Sequence, residues 1–398
     1  MEATACIQDL LKNMNEFSQV ILNILDSDSE TEELFTKLTK YLDDHNIKQD
    51  KSEIKLILHT ITKISNNHHR MSNFFDKIER IFKLFTAEIQ NFFTNIEIFH
   101  IFKENKRLLL FLFEEKIITP DNIMCKIITS KEYENKKYPE YFFPEFERFY
   151  DQKTLNNIKS NNSKIDFKSP SFLEKRRIGE NDSPASLLIR NDSVDEFREK
   201  FGNKPTSWFT KDITESIFET NPFLCQKNPS YIEYSAFFGS IKIFKYLLSA
   251  KKEFTNSILS FAIHGRNIEI IQLIEGKFKF KPSDMALVES FVESLRVFHN
   301  ELTDHLYEKY YNNPQLRKKL STNCFQYFNF ISFIDEMINE VSQAFQLCNE
   351  KGNKESNNMF CHLCESDYIK FVELFLKEKN LNVNAVLIFT IFFLINEI

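Results

Sequence analysis

The chain has 398 residues, a mass of 47.4 kDa and a net charge of −6, from 51 basic and 57 acidic residues. Nucleic-acid-binding proteins normally carry an excess of Lys and Arg, so this charge balance counts against that class. The sequence holds 43 Phe but only 6 Gly. Few glycines count against glycine-rich phosphate loops and against β folds built on tight hairpins. The composition therefore predicts an all-α protein.

Residues 1–137 show helical periodicity without a repeated unit, and we predict that they form an N-terminal helical domain. Apolar residues recur at steps of three and four across residues 7–24. A similar stripe over residues 71–96 fits either a coiled-coil seam or separate bundle helices. Thr94 and Glu97 have the spacing of a capping box, which begins a new helix. We therefore favour separate helices.

Residues 138–180 are predicted to form a solvated, partly flexible connector. Three prolines interrupt the helical pattern, and residues 160–163 are typical loop formers. An alternative hypothesis is that the basic residues of this segment bind nucleic acid or another anionic surface. We favour the connector because no aromatic residues that could stack on bases alternate with the charges. The basic residues are Lys153, Lys159, Lys164, Lys168, Lys175, Arg176 and Arg177.

Residues 181–385 repeat one pattern of small, apolar and turn positions, with a period of about 35 residues. Each copy predicts a short apolar helix, a turn and a second helix. The clear copies are 183–197, 230–248, 260–274 and 358–376, and two degenerate copies are 293–306 and 322–333. The aligned positions near the end of the first helices are Ile189, Ala236, Ile263, Leu295, Cys324 and Cys364.

The residue types in these copies have a physical explanation. Small side chains such as Ala236 and Ala262 allow the first helices to pack closely. Gly239 and Asp367 stand where the turn needs a left-handed backbone conformation. The second helices carry an apolar ridge that neighbouring copies share, so the copies are stable only when stacked.

These residues resemble the ankyrin-repeat family. The segments IEYSAFFGSIKIFKYL and FAIHGRNIEIIQLIE are most similar to the large ankyrin families of unicellular eukaryotic parasites, in which an uncharacterised helical domain precedes the repeats. The resemblance covers about residues 97–385. It implies an ankyrin-like solenoid that binds proteins through its turn tips and the first helices of its concave face. No copy has the family's full Thr-Pro-Leu-His tetrapeptide, and Arg266 stands where the turn usually has Gly.

The sequence contains no complete catalytic, cofactor or metal motif. We therefore expect a non-enzymatic scaffold that binds an unidentified protein, with no cofactor and with no catalytic, cofactor-binding or metal-binding residues. Cys361 and Cys364 form a single CxxC, and a structural zinc site needs further ligands. The alternative is an enzyme with its site in the N-terminal domain. The candidate residues there are His100, Glu114, Glu115, Asp121 and Cys125.

Several other residues receive a structural interpretation. We predict that His68 and His69 form a surface cap at the polar end of a helix, because no Glu or Cys stands at ligand spacing. We predict that His264 and Arg266 lie in a turn that hydrogen-bonds to the adjacent copy. Trp208, which is the single Trp, predicts packing in the core or between repeats.

The two ends of the chain bear on cellular location. The first ten residues lack a secretory signal, and the seven Cys are scattered and odd in number, so we expect a cytoplasmic protein with reduced thiols. Residues 386–398 are mostly apolar but too few to span a bilayer. We interpret this tail as the irregular end of a longer array, with a folded-back cap or a membrane anchor as alternatives.

Overall fold

A computed structural model describes residues 2–27, 32–71, 73–205, 211–250, 255–311, 314–347, 359, 362–364 and 366–376. Across these residues the chain is helical, and β-type pairing is confined to one isolated bridge between Asp212 and Ser230. The predicted all-α class is confirmed. The predictions for Trp208, Cys361 and residues 386–398 lie outside the described residues.

The first third of the chain forms short and medium helices. They are α1 (Glu2–Asp26), α2 (Glu32–Asp44), α3 (Lys51–Asn67), α4 (Phe74–Lys83), α5 (Thr86–Phe92), α6 (Asn95–Phe102), α7 (Lys106–Glu114), α8 (Asn122–Ile128) and α9 (Lys131–Asn135). The predicted capping box is confirmed, because the Thr94 side chain accepts the Glu97 N–H and the Glu97 carboxylate accepts the Thr94 N–H. Residues 71–96 therefore belong to separate helices.

The segment predicted as a connector contains α10 (Tyr138–Tyr141), α11 (Phe143–Phe146), α12 (Gln152–Asn161) and α13 (Pro170–Ile178). Pro139, Pro144 and Pro170 each occupy the first or second position of a helix. Proline is favoured there because its missing N–H has no intrahelical partner to lose. These prolines thus lie in the first turns of helices. From the sequence we expect them to interrupt the helical pattern. The aromatic side chains of α10 and α11 are buried.

The rest of the described chain forms helix pairs. Its helices are α14 (Pro184–Arg190), α15 (Val194–Phe201), α16 (Pro222–Lys227), α17 (Tyr231–Phe237), α18 (Ile241–Ala250), α19 (Ile258–Gly265), α20 (Ile268–Phe278), α21 (Met285–Arg296), α22 (Asn300–Leu306), α23 (Pro314–Tyr327), α24 (Ile334–Leu347) and α25 (Ile369–Leu376). The pairs are α14–α15, α17–α18, α19–α20, α21–α22 and α23–α24, followed by helical residues 362–364 with α25.

One type of turn joins the two helices of each pair. At Gly239, for example, the N–H donates to Ala236 at 3.1 Å, and the Ser240 N–H donates to Ser235 at 2.9 Å. These two bonds satisfy carbonyl groups that a helix end leaves without intrahelical partners. The left-handed conformation predicted for Gly239 and Asp367 is confirmed. The turn residues and their φ angles are Asp192 (49°), Gly239 (69°), Arg266 (51°), Phe298 (58°), Phe328 (58°) and Asp367 (59°).

The turn of the α23–α24 pair corrects the sequence alignment. Phe328 donates to Phe325, and Asn329 donates to Cys324, so Phe325 occupies the position that Ala236 has in its pair. The predicted alignment on Cys324 is therefore one residue too early. A left-handed conformation costs a residue with a side chain about 1–2 kcal/mol. The Phe298 and Phe328 rings are buried, and burying a Phe side chain stabilises by about 1.5–3 kcal/mol, which offsets that cost.

Within each of the two compact units defined below, consecutive pairs are linked by hydrogen bonds from the residue that follows the left-handed position. In each case its side chain donates to a carbonyl near the turn of the preceding pair. The bonds are Ser240 Oγ to Ile189 O (2.6 Å), Asn267 Nδ2 to Gly239 O (3.0 Å), Asn329 Nδ2 to Leu295 O (2.9 Å) and Tyr368 OH to Phe325 O (2.7 Å).

The chain divides into two compact units. Unit 1 comprises residues 1–63, 70–85 and 291–398, and unit 2 comprises residues 64–69 and 86–290. Each unit draws on both the predicted N-terminal domain and the predicted repeats. A division by compactness in space does not test where domains begin and end along the sequence. The boundaries predicted at 137, 180 and 385 therefore stay predictions.

Unit 1 joins the N-terminal helices to the last helix pairs. α1 packs against α2 and α24. On α3, Lys55 and His59 contact the Asp367 carboxylate at 2.7 and 2.8 Å, and the His59 ring stacks on Phe328 at 5.7 Å. Lys370 of α25 pairs with Asp50, which precedes α3. These helices therefore share contacts with segments about 300 residues away in sequence.

Unit 2 contains the pairs α14–α15, α17–α18 and α19–α20. α17 packs against α14 and α19, and α18 packs against α15 and α20. The approach of α19 to the α17–α18 turn is close, because a Cβ atom added to Gly265 would lie 2.1 Å from the Ala236 carbonyl oxygen and 2.8 Å from the Gly239 nitrogen. Only glycine fits at position 265.

We predict opposite effects for two glycine-to-alanine substitutions. Gly265→Ala forces the backbones of α17 and α19 apart and is expected to lower the free energy of unfolding by about 1–3 kcal/mol. Gly276→Ala in α20 places its Cβ where no described atom lies within 4 Å, and it is expected to raise the free energy by about 0.5–1 kcal/mol. Urea unfolding of both variants measures the difference. Equal effects would contradict the close approach.

Candidate interaction surface

Two first helices of the unit 2 pairs, α17 and α19, are buried, whereas α14 exposes Leu187. Every residue of α19 is buried, as are nearly all of those in α17. Phe223 of α16 covers them, because its ring lies 6.0 Å from Phe237 and 4.9 Å from Phe261. The expectation that first helices offer binding side chains is therefore not met by α17 and α19, because α16 occupies that side of the pairs.

In the α17–α18 and α19–α20 pairs the exposed side chains lie on the second helices. We call the exposed residues of α15, α18 and α20, together with the half-buried Tyr246, the outer face. Ile268 and Leu273 of α20 are 68% and 37% exposed. Single exposed apolar side chains are common on protein surfaces. Ile268 and Leu273 differ in lying on one helix beside the interacting charged residues described below, and we take this group as a candidate contact site. The other residues of the outer face used below are Arg198, Lys245, Tyr246 and Glu269.

The charged residues of the outer face interact with each other and with one aromatic ring. The Arg198 guanidinium lies over the Tyr246 ring at 5.1 Å. Lys245 Nζ lies 2.5 Å from a Glu269 carboxylate oxygen. An exposed ion pair contributes about 0.2–1 kcal/mol, so a partner can replace it at little cost. Arg and Tyr are also enriched at protein–protein interfaces.

The residues proposed for an enzymatic site in the N-terminal domain have separate structural contacts. Asp121 caps α8 through two backbone N–H groups, and Glu114 forms an ion pair with an arginine of α13. Burial raises the pKa of Cys125 to about 11, so its thiol is protonated at neutral pH and is a poor nucleophile. His100 lies beside a lysine amine, and Glu115 ends α7. The structure assigns no common site to these residues.

The basic residues of 138–180 are largely engaged by carboxylates. Arg176 is buried and holds Glu145 at 2.7 Å, which fixes α13 against α11. The other pairs place the basic nitrogen 2.7–3.5 Å from a carboxylate oxygen: Lys159 and Lys168 with Glu147, Lys175 with Asp182, and Arg177 with Glu114. These contacts reduce the positive field that an anionic ligand would meet, and anion binding by this segment stays a hypothesis.

The prediction that His68 and His69 form a surface cap is wrong. His68 is buried, and His69 Nδ1 lies 2.9 Å from the His264 carbonyl oxygen. Arg266 Nη2 lies 3.0 Å from His68 Nε2. The residues that follow α3 thus contact the α19–α20 turn, whose hydrogen bonding was predicted with a different partner. A contact across about 200 residues leaves no local signal in the sequence.

The remaining candidates concern metals and membranes. Cys364 is a half-buried thiol that forms no disulfide. Among the described residues, no group of three or more His, Cys, Asp or Glu side chains has a metal-binding arrangement. None of the described helices combines the length and apolar character that crossing a bilayer requires.

Comparisons with family models, with curated proteins and with solved structures gave no match to this chain. A proposal for its function therefore depends on its own surface and on the repeated helix pairs.

The contact of His69 predicts a loss of stability in acid. Burial lowers the pKa of His69 to about 4, and the positive charges of Arg266 and His68 act in the same direction. Its ordinary pKa is about 6.5. Because the folded-state pKa is the lower one, this contribution is complete above pH 6.5 and is lost as the pH falls to 4. The expected loss is about 3 kcal/mol.

Urea unfolding of the natural chain and of His69→Gln, at pH 7 and pH 4, measures this loss. Glutamine can donate to the His264 carbonyl but does not titrate. The variant should therefore lose less stability between the two pH values than the natural chain. Equal losses in the two proteins would contradict the assignment to His69.

Proposed function

We propose that this protein is a non-enzymatic scaffold of ankyrin-like helix pairs that binds a protein partner through the outer face of unit 2. The observation that carries the proposal is the exposure of Ile268 and Leu273 on helices held by regularly repeated turns. Stacked helix pairs form rigid, extended surfaces, which is the usual basis of binding by repeat proteins.

The outer face also suggests the chemistry of the partner. Burying an exposed Ile side chain contributes about 1.5–3 kcal/mol, so Ile268 is suited to fill an apolar pocket. Lys245 and Glu269 offer one charge of each sign beside it, and Arg198 with Tyr246 offers a flat aromatic contact. A partner with an apolar pocket bordered by both charge signs fits this arrangement.

We further propose a cytoplasmic location. The cysteines within the described residues are thiols and form no disulfide; they are Cys6, Cys125, Cys225, Cys324 and Cys364. Thiols of this kind are typical of proteins in reducing compartments.

We predict that Ile268→Arg weakens partner binding at least about tenfold, because the substitution removes the apolar contact and adds a charge. Met285→Arg in α21 is the matched control, since Met285 is also 68% exposed but does not belong to the outer face. Full-length proteins on beads are incubated with extract of the producing cells, and retained proteins are quantified by mass spectrometry.

The expected result is a set of proteins retained by the natural chain and by Met285→Arg but depleted from Ile268→Arg. Circular dichroism should be the same for all three, because neither substitution changes a buried residue. Retention of one set by all three proteins would contradict binding through the outer face. Loss from both variants would also contradict it, since the control shares only the added charge.

A further inference from the structure

Lys106 of α7 is a buried amine in unit 2. Its side chain is 3% exposed, and Nζ donates to the Glu219 carbonyl oxygen at 3.2 Å. The rings of Tyr138 and Tyr141 lie 5.3 and 5.4 Å from the same nitrogen. The aromatic rings and the charges of Glu219 and Glu140 favour the ammonium ion, but burial outweighs them and lowers the pKa of Lys106. The share of neutral amine is therefore larger than for an exposed lysine.

Cys225 of α16 contacts the same carbonyl group. Its Sγ lies 3.5 Å from the Glu219 oxygen, so the sulfur and the Lys106 nitrogen are at most about 7 Å apart. The thiol forms no disulfide and is partly exposed. Amine and sulfur are thus neighbours, with Lys106 buried and Cys225 half-buried.

Cys225 also lines a small cavity. The volume of this cavity is about 50 Å³, and the other lining residues include Glu219, Asn181 and Tyr234. A cavity of about 10–15 Å³ on this scale can already hold one water molecule, so this one has room for hydrogen peroxide.

We propose that Cys225 and Lys106 form a peroxide-modification site, at which oxidised Cys225 is captured by the Lys106 amine as a sulfur–nitrogen cross-link. The products of sulfur oxidation are known to condense with a nearby nitrogen as well as with a second thiol. Room for the oxidant, the sulfur and an amine whose charged form is disfavoured by burial lie together here. The inference is independent of the proposed scaffold function.

The reaction balances in two steps. First the thiol proton passes to the Lys106 amine, and the thiolate sulfur attacks one oxygen of hydrogen peroxide. The O–O bond breaks, and the leaving hydroxide recovers the proton from the ammonium group as water. Sulfur is oxidised by two electrons to the sulfenic acid, and the peroxide is reduced. The amine nitrogen then attacks sulfur, the S–OH bond breaks, and hydroxide leaves with an amine proton as a second water.

The cross-link would join α7, which precedes the repeats in sequence, to α16, which lies between two helix pairs. Both helices belong to unit 2. A thiol can attack the sulfur of the cross-link, which releases the amine and leaves a mixed disulfide; a second thiol then frees the Cys225 thiol and leaves as the disulfide of the two thiols. The modification is therefore reversible as long as sulfur is not oxidised beyond the sulfenic acid.

The test treats the full-length protein with hydrogen peroxide and maps its peptides by mass spectrometry before and after dithiothreitol. The expected product is one peptide pair joined through Lys106 and Cys225, lacking two hydrogen atoms, and separated again by dithiothreitol. Lys106→Arg should lose the cross-link while Cys225 proceeds to sulfinic acid. Cys125→Ser is the matched control and should keep the cross-link, because the Cys125 thiol is protonated, with a pKa of about 11.

Three results on the natural protein would overturn the proposal. The natural protein could show Cys225 as sulfinic acid with no link to Lys106, it could show an unmodified Cys225 after treatment, or it could show Cys225 joined to another cysteine. The measurement on the natural protein decides the matter even if a variant fails to fold. Cross-linking that persists in Lys106→Arg would also exclude the assigned nitrogen.

Discussion

Side-chain hydrogen bonds to the carbonyl groups of the preceding pair are the interaction on which the repeated structure depends. Asn329 shows it most completely. Its buried amide donates to Leu295 and to Asn300, and its oxygen accepts the N–H groups of Ile331 and Ser332. A net hydrogen bond contributes about 0.5–1.5 kcal/mol, but leaving its buried partners unsatisfied costs about 1–3 kcal/mol. The turn thus fixes both its own pair and the pair before it.

The same turns receive contacts from the N-terminal part of the chain. In unit 1, α3 reaches the Asp367 turn through Lys55 and His59. In unit 2, the residues after α3 reach the Arg266 turn. The turns that repeat proteins commonly use for partners are therefore partly occupied within the chain. This occupation is the physical reason for locating the proposed partner site on the second helices.

The features that follow from local chemistry were predictable from the sequence. The Thr94 capping box and the left-handed Gly239 and Asp367 turns each depend on a few adjacent residues. The alignment at Phe328 failed because a bulky aromatic residue is an unexpected choice for a left-handed turn, and only the burial of its ring explains it. Two further features could not be predicted because they join segments distant in sequence. They are the contacts of α3 and the packing of α16 over α17 and α19. Ile268, an apolar residue beside Glu269, is a sequence feature that points to the outer face. It can be recognised as such only when α17 and α19 are known to be buried.

The most direct test of the central interaction is hydrogen exchange in the Asn329→Ala variant, followed amide by amide. Because Asn329 bonds to Leu295 and Asn300 as well as to its own turn, the substitution should speed exchange about 10- to 100-fold in both neighbouring pairs, including Thr303 of α22 and Val341 of α24. Faster exchange confined to the α23–α24 pair, with unchanged protection at Thr303, would contradict the account.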